Sequence, residues 1–177
     1  LKALDPYPSV LMDDINDILM VNRGWVGLFS RIMSTSIIEK TTNLSEFLFS
    51  REGAGSYISD RENTLSVILM SLEQRSLYTN DPRDIHLRDQ LAAHEIVPPD
   101  WRERARALEP MPSFKIQLSL EGELRKFINV TSSVSTLGPA VQLSGRSLNL
   151  STFYPEEDEI ILSSFNNPTL SHPFLFY

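Results

Sequence analysis

The stretch Pro8–Phe29 constrains the fold of this chain more than any other. It holds two short apolar runs, Val10–Met12 and Ile18–Val21, with the dipeptide Asn16-Asp17 between them. Short apolar runs bounded by Asn and Asp are typical of β-strands, and both residue types tolerate the backbone angles of a tight turn. The pattern therefore predicts a β-hairpin near the start of the chain.

A short aromatic helix is predicted directly after this hairpin. Asn22 ends the second strand, and its side-chain oxygen can accept a backbone N–H of the next turn as a helix N-cap. Trp25, Leu28 and Phe29 then fall on one face of the helix. The Asn22 amide would also suit the orienting of a ligand at a pocket mouth, but the capping role is the one that we predict.

The middle of the chain carries helical signals. Residues 31–40 are compatible with a further helix, and capping boxes are predicted at Asn43 with Glu46 and at Ser59 with Glu62. An amphipathic helix follows the second box, because apolar residues recur there at helical spacing: Leu65, Ile68, Leu69 and Leu72. It should end by the proline at position 82, and two more helices are expected at about 83–94 and 101–108, the second one capped by Asp100.

The apolar pattern changes to a period of two after Ser113. Phe114–Leu120 alternates apolar and polar residues as a half-buried strand does, and Glu121-Gly122 predicts a turn into a partner strand over Leu124–Val134. We expect Leu137–Pro139 to close this hairpin and a last strand to follow Ser144-Gly145, from Leu148 to Tyr154. Strands, then helices, then strands predict an α+β fold, with helices inserted in one antiparallel sheet and packed on one face of it.

Composition limits the classes of function. The chain has 177 residues, of which 41% are hydrophobic and 22% charged, as in one ordinary globular domain. It has no cysteine, which excludes disulfides and thiolate metal sites, and no apolar run long enough to span a bilayer. These features are consistent with a cytoplasmic protein.

Charge and histidine spacing exclude two kinds of site. The formal net charge of -7 argues against direct nucleic-acid binding, which needs a basic face. His86 and His94 are eight residues apart, which turns them away from each other on a helix, and neither has a Glu or His four residues further along. No metal site is therefore predicted. No nucleophile elbow, phosphate-binding loop or metalloprotease motif is present, and no catalytic residue or cofactor is predicted.

Several motifs follow one another in an order that resembles a known family. They are Leu4–Pro8, Met20–Asn22, Asn43–Phe49 and Asp81–Arg83 with its following leucines. This order is similar to that of the ligand-binding domain of MmyB-like regulators, a PAS-like sensor that follows a helix-turn-helix domain in bacterial regulators of the XRE family. The resemblance extends from Leu4 to about Glu156 and so covers most of the chain.

The resemblance implies a regulatory, non-enzymatic domain. It implies a PAS-like domain over residues 1–165, a C-terminal tail over 166–177, and an N-terminal DNA-binding domain that this chain, which begins at Leu1, does not include. DNA contact would come from that absent domain. A homodimer is expected, because the symmetry of paired DNA half-sites mirrors that of the protein.

The resemblance also implies a pocket for an elongated apolar ligand such as a fatty acid. Large apolar residues are the candidates for its lining, although each of them taken alone suits a filled core better and only the resemblance favours a cavity: Trp25, Phe29, Phe47, Phe49, Leu69, Leu72 and Phe127. Arg125, Lys126 and Arg146 are candidates for contact with a carboxylate head group. The arginines of 102–106 alternate with other residues along a helix and are interpreted as a solvated face.

Two other functions stay open at this point. A hydrolase of acyl substrates would need a Ser and a His within hydrogen-bond reach in the pocket. A dimerisation or partner-docking domain would have a filled interior without a pocket. The apolar end of the chain, Phe174–Tyr177, needs cover either from this domain or from a second subunit.

Overall fold

The computed structural model describes residues 1–108, 114–134, 147–156, 162–165, 167 and 169–177. The strands of these segments are β1 (Ser9–Met12), β2 (Ile18–Val21), β3 (Phe114–Leu120), β4 (Glu123–Val134) and β5 (Leu148–Pro155). The α-helices are α1 (Arg23–Phe29), α2 (Thr35–Lys40), α3 (Leu44–Phe49), α4 (Arg61–Thr79), α5 (Pro82–Ala92) and α6 (Trp101–Ala107). Short 3-10 helices occupy Lys2–Leu4, Ala54–Tyr57 and Leu162–Phe165.

The strands form one five-stranded antiparallel sheet in the order β2-β1-β5-β4-β3. The first and last strands pair side by side, with Val10 opposite Ser151, so the helices between β2 and β3 form an insertion in the sheet. Alternate residues face the helices and the outside: Phe127 and Phe153 are buried, whereas Val130 is 44% exposed. The predicted α+β, PAS-like fold is confirmed.

The opening hairpin and its helix cap are confirmed. Asn16 has the left-handed φ of 66° in the turn between β1 and β2. Asn22 caps α1, because its Oδ1 accepts the backbone N–H of Trp25 at 2.9 Å. Its side chain is fully buried and also accepts the backbone N–H of Ser9 in β1, which fixes the angle at which α1 leaves the sheet.

The first predicted capping box is confirmed in part. Asn43 caps α3 by accepting the backbone N–H of Glu46 at 3.1 Å. The Glu46 carboxylate does not return to the cap; it accepts a bond from Gln90 of α5 instead. Before α3, the helix compatible with residues 31–40 begins only at Thr35.

The second predicted capping box, at Ser59 and Glu62, is wrong. Asp60 occupies the N-cap position of α4. Ser59 instead donates its backbone N–H to the carbonyl of Gln117 in β3, beside a bridge between Ile58 and Leu118. A backbone hydrogen bond to the sheet therefore outweighed the local capping signal.

The predicted apolar side of α4 lies in the core. Leu65, Leu69 and Leu72 are buried, and the helix ends at Asn80 in the left-handed conformation. Asp81 then begins α5 by accepting the backbone N–H of Arg83. Among the described helices, none has the length and apolar character needed to cross a membrane.

Asp100 occupies the N-cap position of α6 as predicted, but its side chain bonds no backbone N–H there. Its carboxylate accepts the Nε–H of Arg104 instead. The turn at Glu121-Gly122 is confirmed by φ angles of 54° and 85°. The predictions for Leu137–Pro139 and for Ser144-Gly145 lie outside the described residues.

The C-terminal segment packs on the same domain. The carbonyl of Phe174 accepts the backbone N–H of Val21 at the end of β2. The phenol of Tyr177 donates to the Asp5 carboxylate at 2.8 Å, and burial together with this bond raises the pKa of the phenol. The apolar end of the chain is therefore covered, at least in part, by its own domain.

Candidate ligand-binding site

The residues predicted to line a pocket all lie in the interior. Trp25, Phe29 and Phe47 form one aromatic cluster. The ring centroid of Phe29 lies 4.9 Å from that of Trp25 and 4.9 Å from that of Phe47, and the centroids of Trp25 and Phe47 are 5.7 Å apart. Phe127 packs its ring edge-on against Phe153 at 6.4 Å. Contacts of this kind stabilise a packed core whether or not a ligand is present.

The remaining members of that set are also buried. Phe49 and Leu69 are fully buried and Leu72 is 5% exposed. Of the predicted set, Phe47 lines a space of about 240 Å³ beside α2 and α3. Contact of this set with a ligand therefore remains a prediction.

A larger cleft, of about 610 Å³, lies between the helices and the inner face of the sheet. Its walls come from α3, α4, the end of α6 and the strands β3 and β4. The described lining residues are Asn16, Leu44, Ser45, Leu48, Val67, Ile68, Met70, Ser71, Gln74, Ala105, Arg106, Leu108, Phe114, Asn129 and Thr131.

Helix α4 contributes to the core and to the cleft with different sides. Successive residues of a helix turn by roughly 100°, which places Val67, Ser71 and Gln74 on the side opposite Leu65 and Leu69. The first three line the cleft, whereas the two leucines are fully buried. The leucine side could be predicted from its apolar period, whereas the cleft side could not, because its mixture of Val, Ser and Gln has no such period.

Most of the polar groups in the cleft are already bonded within the protein. Asn16 donates from Nδ2 to Ser45 Oγ at 2.8 Å, and Asn129 Oδ1 accepts from Ser151 Oγ at 2.6 Å. Ser71 Oγ donates to the carbonyl of Val67, one turn earlier in α4. Because these groups already have partners within the protein, the cleft offers mainly apolar surface to a guest.

The charged residues near the cleft differ from the prediction. Arg125 is paired with Glu123 on β4, and neither it nor Lys126 is among the lining residues of the cleft. Arg146 lies outside the described residues. Arg106, interpreted from sequence as part of a solvated face, is exposed as predicted and also lines the cleft.

A second cavity of about 380 Å³ lies between the opening hairpin, α3 and α5. Asp17, Glu46 and Arg83 contribute charged groups to its wall. Arg83 is held there by ion pairs with Asp14 and Asp81 at 2.9 and 2.7 Å. The larger cleft has the greater volume and a single charged side chain among its described lining residues.

The described residues do not assemble a hydrolytic or metal centre around the cleft. No group of three His, Cys, Asp or Glu side chains among them is arranged to hold a metal ion. Ser45 and Ser71 line the cleft, but their hydroxyl groups bond to Asn16 and to the Val67 carbonyl, and no described histidine lines the same space.

Comparison with known proteins gives one result that bears on function. The family model described as the MmyB-like transcription regulator ligand binding domain matches residues 1–158, which is most of the chain. No curated protein and no solved structure gives a match. The predicted resemblance is thus confirmed, and the chain belongs to the family of MmyB-like transcription regulator ligand binding domains.

Proposed function

We propose that this domain senses an elongated apolar molecule, such as a fatty acid, in the cleft between α4 and the sheet. The observation that supports the proposal is the cleft itself, whose volume of about 610 Å³ falls within the usual range for small-molecule sites. Eight of its fifteen described lining residues are apolar, including Leu44, Leu48 and Ile68 on the helical side and Phe114 on the sheet. Each methylene group buried there would contribute about 0.8 kcal/mol to binding.

In the proposed mechanism the ligand changes the populations of two arrangements of a regulator dimer. The ligand can shift this equilibrium only by the difference between its affinities for the two arrangements. An N-terminal helix-turn-helix domain of a bacterial, cytoplasmic regulator of the XRE family would read the DNA. The net charge of -7 on the present chain favours this division of labour, since its surface would repel phosphates.

A variant that fills the cleft tests the site. Ser71 is an exposed residue of α4 that lines the cleft, so Ser71→Phe should occupy the space without disturbing the core. Ser71→Ala is the matched control, because it removes the same hydroxyl and leaves the space open. Calorimetric titration with dodecanoate should give binding to the wild type and the Ala variant, and binding at least tenfold weaker to the Phe variant.

Two results would contradict the proposal. Equal affinity of dodecanoate for both Ser71 variants would place the ligand elsewhere. Absence of binding of dodecanoate and of other long-chain acids to the wild type would reject the proposed ligand class.

For the regulatory step, the full-length regulator should bind operator DNA with different affinity in the presence and absence of the ligand, and identical affinity would reject the switch.

A further inference from the structure

We propose that Arg106 makes the cleft selective for ligands that end in a carboxylate. This inference rests on the proposed function, since it assigns a chemical class to the ligand of the same cleft. Arg106 is the single charged side chain among the described residues that line the cleft. The formal net charge of the whole chain is -7, so the charge that Arg106 brings to the cleft is opposite in sign to that of the protein as a whole.

The arginines of α6 have different partners. Arg102 pairs with Glu73 at 2.8 Å, and Arg104 pairs with Glu62 at 3.0 Å and with Asp100 at 2.9 Å. These pairs join α6 to α4 and to its own first turn. They hold the helix whose final turn forms one wall of the cleft.

Arg106 has no hydrogen bond or ion pair with the described part of the chain, and it is exposed to solvent. Its guanidinium group is therefore available to a guest without the loss of an existing bond to those residues. Ala105 and Leu108 lie beside it in the lining, so apolar surface begins next to the charge. A cation next to an apolar wall matches a molecule with an anionic head and a hydrocarbon chain.

The chemistry of the guanidinium group favours a carboxylate. Its planar N–H groups can donate two parallel hydrogen bonds to the two oxygens of one carboxylate. A neutral ligand of the same length would bury the same hydrocarbon surface but would make no charged pair with Arg106. The effect of Arg106 should therefore appear as a higher affinity for an acid than for its uncharged analogue, while both ligands bind to the cleft.

The test compares dodecanoate with dodecanol, each below the concentration at which it aggregates, on three proteins. Arg106→Gln removes the charge at the cleft and keeps a polar side chain. Arg104→Gln is the matched control, because it removes the same charge from the same helix but at a residue that does not line the cleft. Affinities are measured by calorimetry at low salt, and the melting temperature of each variant is recorded to verify folding.

The expected loss of dodecanoate affinity in Arg106→Gln is about fivefold, as for a solvent-exposed charged pair of good geometry. Dodecanol affinity should change by less than about twofold, and Arg104→Gln should retain the wild-type preference for the acid. Added salt should reduce the preference in the wild type, because it screens the pair.

The outcomes separate the two proposals. If dodecanoate binds equally to the wild type and to Arg106→Gln, the role of Arg106 is rejected while the cleft remains a ligand site. An equal loss of acid affinity in both arginine variants would reject it as well, since net charge alone would explain the result. If neither probe binds the wild type, the proposed function fails and this inference fails with it.

Discussion

Asn22 connects three segments of the chain through one buried amide. Its Oδ1 accepts the backbone N–H groups of Ser9 at 2.8 Å and Trp25 at 2.9 Å, and its Nδ2 donates to the carbonyl of Tyr7 at 2.8 Å. The capping part of this role was predictable, because the partner lies only three residues away. The bonds to Tyr7 and Ser9 were not, since they depend on how β1 lies beside β2.

Replacement of Asn22 by Ala should lower the free energy of unfolding by about 2–4 kcal/mol. The variant leaves the buried N–H groups of Ser9 and Trp25 without their acceptor, and each unsatisfied buried group costs about 1–3 kcal/mol before local relaxation. The Tyr7 carbonyl keeps the Ser9 hydroxyl as a donor. Urea unfolding followed by circular dichroism measures the change. Asn63→Ala is the control, because the Asn63 amide bonds only to the exposed side chain of Asp60, and it should change stability by less than about 0.5 kcal/mol.

His172 holds the C-terminal segment in place in its neutral form. Its Nε2 lies 2.9 Å from the carbonyl of Ile38 and must donate to it, so Nδ1 is the acceptor of the Phe174 N–H at 3.1 Å. Burial lowers the pKa of His172 below its usual 6.5, although the bond to Ile38 and the charge of Glu39 oppose this shift. A protonated ring could not accept from Phe174.

The stability of the domain should therefore decrease as the pH falls below 6.5. In this range the unfolded chain binds a proton at His172 more readily than the folded one, so unfolding becomes more favourable as the pH falls, until the lower pKa of the folded state is passed. Urea unfolding at pH 7.5 and pH 5.5 measures the effect. The pH dependence should be smaller in His172→Gln, and an unchanged dependence would show that His172 is not responsible.

At the scale of elements, α4 shows what periodicity can predict and what it cannot. The buried leucines of this helix are spaced as a helix requires, and sequence analysis found them. The cleft side carries Val67, Ser71 and Gln74, which have no apolar period, and the cleft itself becomes visible only when β3 and β4 lie across from them. The Ser59 prediction failed for a similar reason, because its partner Gln117 is far away in the sequence.

Two leucines of α4 should respond very differently to truncation. Leu69 is fully buried and Leu77 is 76% exposed. Leu69→Ala should lower the free energy of unfolding by about 2–5 kcal/mol, through lost burial and the cavity left behind. Leu77→Ala should change it by less than about 0.5 kcal/mol. Chemical denaturation of both variants gives the comparison, and similar losses would contradict the assigned orientation of α4.

At the scale of the whole molecule, pairing of β1 with β5 brings the two ends of the domain together. The period of each strand predicted one antiparallel sheet, but periodicity cannot give the order of strands, which depends on contacts between distant segments. The same limit applies to the site. Large apolar residues such as Trp25 and Phe127 are detected easily in a sequence, and in the structure they form the core. The cleft uses smaller and mixed side chains beside them.

The most direct test of the account is native mass spectrometry of the purified domain after incubation with a mixture of long-chain fatty acids. The account predicts a complex with one acid per chain in the wild type and in Ser71→Ala, and little or none in Ser71→Phe. Denaturing extraction should then release the acid and identify its chain length. A wild-type protein without any bound acid, or equal occupancy in both Ser71 variants, would contradict the assignment of the cleft as the ligand site.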